Sequence, residues 1–75
     1  MIKYHNLSGK SGVIGYEETI DSITVFFSSG GVYLYNNERP GVQIIETMKR
    51  LANQGNGLNT YINKFVKNKY SKKIR

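Results

Sequence analysis

The side chains of this sequence with an evident chemical use are its aromatic rings and its cations. Six tyrosines and three phenylalanines are spread over 75 residues, and residues 47–75 hold eight lysines and arginines without a single acid. Residues 1–46 hold three bases against five acids, so the formal charge of +6 joins a slightly acidic first half to a strongly basic second half. Cations at that density attract phosphate or another polyanion. An aromatic ring stacks on a nucleobase for about 1–3 kcal/mol per base. Rings and cations together are the minimal equipment for holding a nucleotide. The same residues also serve plainer ends, because lysines keep a small domain in solution and tyrosine is a good strand former with a polar tip.

Other chemistry finds less support. Gly9-Lys10-Ser11 is the end of a phosphate-binding loop, but the full pattern needs a glycine where Tyr4 stands and a long helix directly after. Gly55-Asn56-Gly57 precedes an expected helix start, where free N–H groups favour an anion; capping by Asn56 or Asn59 is the plainer expectation. Glu17, Glu18 and Asp21 form the one acidic cluster and fall in an expected surface turn, with no nucleophile signal beside them. His5 is the sole histidine and there is no cysteine, so spacing proposes neither a metal site nor a disulfide. No nucleophile, base and orienting group come together. The expectation is a non-enzyme, with no catalytic residue, no metal and no cofactor.

The elements that must position these side chains follow an α+β order. Val13-Ile14-Gly15-Tyr16, Ser22–Phe27 and Val32–Tyr35 read as strands, the second by clear period-two alternation, with Ser28-Ser29-Gly30-Gly31 as the reversal between the last two. That is a three-stranded antiparallel β-meander. Pro40 precedes a helix carrying Val42, Ile45, Met48, Leu51 and Ala52 on one face, with Glu46 and Arg50 as an i,i+4 pair. After Gly55-Asn56-Gly57, a second helix places Leu58, Tyr61, Ile62, Phe65 and Val66 on one stripe and Lys64 and Lys67 behind it. Both helices are expected to pack on the sheet, with Tyr61 and Phe65 in the core. A reversal at 28–31 puts Val32 and Leu34 on the core side with Ile23, Val25 and Phe27, and Phe26 with Tyr33 and Tyr35 on the other. Residues 1–75 form a single domain with a basic tail from about residue 71. Neither a signal peptide nor a membrane-spanning run is evident, so a complete, soluble, cytoplasmic chain is expected.

The order of these motifs resembles the KTSC domain, a short module found at the C-terminus of some lysyl-tRNA synthetases. The resemblance spans roughly residues 8 to 70. It rests on Ser8-Gly9-Lys10-Ser11, Ile14-Gly15-Tyr16-Glu17, Tyr33-Leu34-Tyr35 followed by Pro40, and Gly57 with Asn59 before the last helix with Ile62. Leu58 stands where the family often has an aromatic residue, and Glu17 where aspartate is usual. The resemblance implies this fold. Attachment to a synthetase implies RNA binding, and stand-alone members occur in bacteria and their phages.

Three functional readings follow. In the first, Tyr33, Tyr35 and Phe26 stack bases while Arg50, Lys64, Lys67, Lys69, Lys72 and Lys73 hold phosphates, single-stranded RNA being the favoured ligand. In the second, the chain forms a homo-oligomer whose interfaces sequester a nucleotide-derived signalling molecule, as a phage protein acting on its host would. In the third, the basic C-terminal helix docks on a host protein and inhibits it. A variant laying residues 58–74 on a membrane ranks last, because the apolar stripe is better used against the sheet.

Overall fold

Period-two alternation builds three strands in the first half of the chain, and each terminus adds a short strand at an edge. In chain order the elements are β1 (Ile2–Lys3), β2 (Val13–Thr19), β3 (Ser22–Phe27), β4 (Val32–Asn36), helices α1 (Val42–Gln54) and α2 (Leu58–Tyr61), and β5 (Lys72–Lys73). Helix α2 runs directly into a π-helical turn, Ile62–Val66. These elements come from a computed structural model, which describes residues 1–7, 9 and 11–75. Ser8 and Lys10, and with them the serine-rich lead and the Gly9-Lys10-Ser11 pattern, lie outside the described residues.

The fold is α+β: a five-stranded antiparallel sheet in the order β1-β2-β3-β4-β5, with the helices packed on it. The expected meander is its centre, and the segment expected as a tail is its edge. Ser71 N–H donates to the Leu34 carbonyl at 2.7 Å and Ile74 N–H to the Val32 carbonyl at 2.8 Å. Strand β2 also continues through Glu17 and Glu18 to Thr19, where a turn was expected, and the reversal comes at Ile20-Asp21. Lys49 secures that reversal, its ammonium donating to the carbonyls of Thr19 at 2.7 Å and Ile20 at 3.2 Å.

The hairpin between β3 and β4 corrects the expected division of faces. Phe27 N–H donates to the Gly31 carbonyl and Gly30 N–H to the Phe27 carbonyl, so the loop is Ser28-Ser29-Gly30, one residue shorter than the reversal expected. Gly30 takes φ 100°, the positive φ that glycine tolerates and other residues avoid. One residue fewer in the loop shifts the register by one and changes which side chains share a face. Ile23 pairs with Tyr35 and Val25 with Tyr33, while Thr24 pairs with Leu34 and Phe26 with Val32. The tyrosines therefore stand with the aliphatic residues under the helices, and Phe26, Val32 and Leu34 are on the open side.

The core lies between that tyrosine side and the helices. Tyr4, Val13, Tyr16, Ile23, Val25 and Tyr35 of the sheet side meet Ile45, Met48 and Ala52 of α1 and Leu58, Ile62 and Val66 of the second helical segment. Gly55, with φ 75°, ends α1 and donates its N–H to the carbonyls of Leu51 and Ala52. Neither Asn56 nor Asn59 caps α2. Its Leu58 N–H is taken instead by the Tyr4 hydroxyl, 3.2 Å away in the interior. Two expected core residues are exposed, Val42 in the first turn of α1 and Phe65, at 59%, on the π turn. The π turn closes with Lys67 N–H on the Ile62 carbonyl, five residues back, and this wider turn carries Leu58, Ile62 and Val66 inward at a spacing of four while leaving Phe65 outside. Glu46 pairs with Lys49 at 3.6 Å, not with Arg50. Among the described residues no helix is long and apolar enough to cross a membrane.

Candidate ligand cleft

Where the π turn leaves the sheet, it opens a cleft of about 430 Å³ over the end of the β3–β4 hairpin. Phe27 and Ser29 come from the hairpin's end, Tyr33 and Tyr35 from β4, Ile62 and Asn63 from the π turn, and Lys67, Asn68 and Tyr70 from the segment leading to β5. A cavity of this size, part aromatic and part polar, is in the range of small-ligand sites.

One wall is a run of three rings. Phe27 meets Tyr33 edge-on with centroids 5.7 Å apart, and Tyr33 meets Tyr70 at 4.8 Å with the rings tilted by 56°. The rings touch one another at steep angles, 82° and 56°, so they form a folded wall on which a flat group stacks against one ring and meets the edges of its neighbours, not a pair of jaws that a base enters. Tyr33 and Tyr70 are half-buried and Tyr35 is 1% exposed, so Tyr35 floors the cleft and offers no face for stacking. Burial, helped by Tyr33 and Tyr70 nearby, pushes the Tyr35 phenol up to about 12, and it stays neutral across the physiological range. On the far side of the core, burial and then Glu18 raise the Tyr16 phenol, whose hydroxyl donates to Asn53 Oδ1 at 3.2 Å.

The opposite wall carries two local irregularities. One is the π turn itself, a form concentrated at functional sites. The other is Lys67, held at φ 51° and ψ −122°. With Lys69 N–H on the Val66 carbonyl at 3.0 Å, this is the first central position of a type II′ turn, which glycine normally fills. A lysine held there costs on the order of 1–3 kcal/mol. Its side chain lines the cleft, where an ammonium is of use to an anion.

The expected site residues do not form a single patch. Tyr33, Tyr35 and Lys67 line the cleft, and the Lys73 ammonium lies 6.0 Å from the Tyr33 centroid, at the limit of a cation–π contact. Lys64 and Lys69 are exposed near it in the chain, without lining it. Phe26 and Lys72 stand on the open side of the sheet, in the registers Phe26↔Val32 and Leu34↔Lys72, and cannot join Tyr33 over one ligand. Arg50 is exposed on α1, outside the cleft. Among the described residues, Lys49 is the one base of residues 47–75 held in an ion pair. Glu17 and Glu18, consecutive on β2, point to opposite faces, and Glu18 accepts from Asn53 at 3.1 Å. Sequence reading missed Phe27, Ser29, Asn63, Asn68 and Tyr70. The glycine best suited to positive φ in the hairpin loop was the signal for Phe27, since it sets the register that turns this ring toward Tyr33.

No family model matches the chain, and no curated protein or solved structure was found similar to it.

Proposed function

We propose that this protein is a non-catalytic binding module for a phosphate-bearing nucleotide ligand, single-stranded RNA foremost. The observation that carries the reading is the Phe27–Tyr33–Tyr70 wall facing a cleft with Lys67 on its other side. A base stacks on one ring of the wall, Tyr33 or Tyr70; Ser29, Asn63 and Asn68 offer hydrogen bonds to its edge or to the sugar, and Lys67 and Lys73 hold the phosphate. Lys64 and Lys69, both exposed, extend the cationic surface past the cleft, which favours a strand over a single unit. A cytoplasmic setting and kinship with the KTSC domain belong to the same proposal, supported by Ile14-Gly15-Tyr16-Glu17 and Tyr33-Leu34-Tyr35.

The cleft's size favours a second reading, in which the ligand is a free nucleotide-derived molecule held alone. Fluorescence anisotropy with a labelled uridine octamer, competed by adenosine monophosphate, separates the two. For RNA, affinity falls with log salt at a slope near −0.7 per phosphate contact, and the mononucleotide competes poorly. For the single-nucleotide reading the mononucleotide competes as well as the octamer. In either case Tyr33→Ala and Tyr70→Ala weaken binding by about 1–3 kcal/mol each, and Phe26→Ala leaves it unchanged. Absence of binding by both ligands at low salt rejects the proposal.

A further inference from the structure

We infer that the open face of the sheet, away from the helices, is the docking surface for a second copy of this chain. Phe26, Val32 and Leu34 on that face lie outside the helix-side core, Phe26 and Leu34 half-buried and Val32 already 5% exposed, and exposed Ile74 lies beside Val32, to whose carbonyl both its N–H and that of Arg75 donate. At the other end the Met1 side chain packs over Gly15, which pairs with Phe26.

The charges on this face are arranged to match a copy of themselves. Glu17, Thr24, Leu34 and Lys72 pair in sequence across β2, β3, β4 and β5, forming a row with an acid at one end and a base at the other. The neighbouring row, Gly15 under Met1, then Phe26 and Val32, is apolar up to the C-terminal edge, where Ile74 and Arg75 together oppose Val32. A two-fold axis parallel to the strands, between β3 and β4, lays β2 of one copy over β5 of the other. Glu17 then faces the partner's Lys72 twice over, once at each end, while Phe26 faces the partner's Val32 and Leu34 the partner's Thr24. Two sheets packing face to face at about 10 Å bring such side chains into contact. Among the described residues Glu17 pairs with the Met1 amino group, at 3.3 Å and exposed, a weak hold that does not compete with docking. The cleft lies on the helix side, so the dimer neither covers it nor depends on it.

Sedimentation velocity on the full chain, from low micromolar to about millimolar protein, tests this. A monomer at the low end that becomes a dimer at the high end is expected. Glu17→Lys and Lys72→Glu each set like charges against each other across the axis and weaken self-association by about tenfold or more. Mixed in equal amounts, the two variants restore association, because the lysine introduced at position 17 of one then meets the glutamate introduced at position 72 of the other; a folding defect gives no such rescue. Leu34→Lys keeps the chain monomeric, and circular dichroism checks that each variant is folded. A wild-type chain that stays monomeric throughout overturns the inference, as does a dimer indifferent to these changes or a mixture that fails to associate. Loss of RNA binding in Lys72→Glu, in a chain that is monomeric to begin with, assigns the face to a polyanion instead and likewise overturns it.

Discussion

Two sides of one sheet are built from alternate residues of the same strands, yet they differ in almost every respect. On the helix side Ile23, Val25 and Tyr35 are sealed under α1 and the π turn, and only toward the hairpin's end does the cover lift, leaving Tyr33 half-buried at a cleft. On the open side Thr24, Phe26 and Leu34 are half-buried and Val32 is buried to 5% exposure, by their own neighbours and not by a helix of the core. Tyr33 and Tyr35, two residues apart on one face, show a graded version of this: the Tyr35 ring is sealed in the core, and the Tyr33 ring packs against the core while half-open to the cleft. What a side chain does here is set less by its type than by whether a helix covers its place on the sheet.

The largest effect expected is on stability. Tyr35→Ala removes a ring from the sealed side and should cost about 3–5 kcal/mol in urea unfolding, whereas Leu34→Ala, its chain neighbour on the open side, should cost about 1 kcal/mol or less when measured on dilute, monomeric protein. Equal costs would erase the distinction between the sides.

Next in size is Lys67→Gly. Glycine fits the positive φ and relieves the turn, so the variant should be more stable by on the order of 1 kcal/mol in the same assay. It also removes a cation from the cleft and should bind nucleotide more weakly. A gain in stability with a loss of binding is the mark of strain kept for function, and a loss of both would reduce Lys67 to a structural residue.

The smallest effect lies in alkali. Tyr35 has a folded-state pKa raised from 10 to about 12, so between those values the unfolded chain gives up the proton while the folded chain keeps it. The unfolded state then binds fewer protons, and stability, constant below pH 10 on this account, falls as pH rises toward 12. Tyr35→Phe should flatten that fall in a series of thermal melts, and so, to a lesser degree, should Tyr16→Phe, whose phenol is also raised by burial.

Much of this architecture was legible in the residues themselves. The alternation of Ser22–Phe27 and the spacing of Ile45, Met48 and Ala52 are local signals, and each produced its element. The faces of the hairpin were not legible, because they hang on whether Gly30 or Gly31 closes the loop, and a one-residue difference inverts the partner strand. Edge strands β1 and β5 were missed because two-residue strands carry no periodicity; they exist through pairing with β2 and β4. The cleft was half legible. Tyr33 and Lys67 stood out by type, while Phe27 and Tyr70 join them only through register and through the return of the C-terminal segment along β4.

The central claim is that nucleotide binds on the helix side, against the aromatic wall, and it is tested most directly by a titration followed in two-dimensional ¹H–¹⁵N NMR on the labelled full chain at low salt. With adenosine monophosphate or a uridine octamer added in steps, the account predicts saturable shifts at Ser29, Tyr33, Asn63, Lys67, Asn68 and Tyr70, with Thr24 and Phe26 unmoved. Shifts centred on Thr24, Phe26 and Leu34, or no saturable shift with either ligand at millimolar concentration, would contradict it.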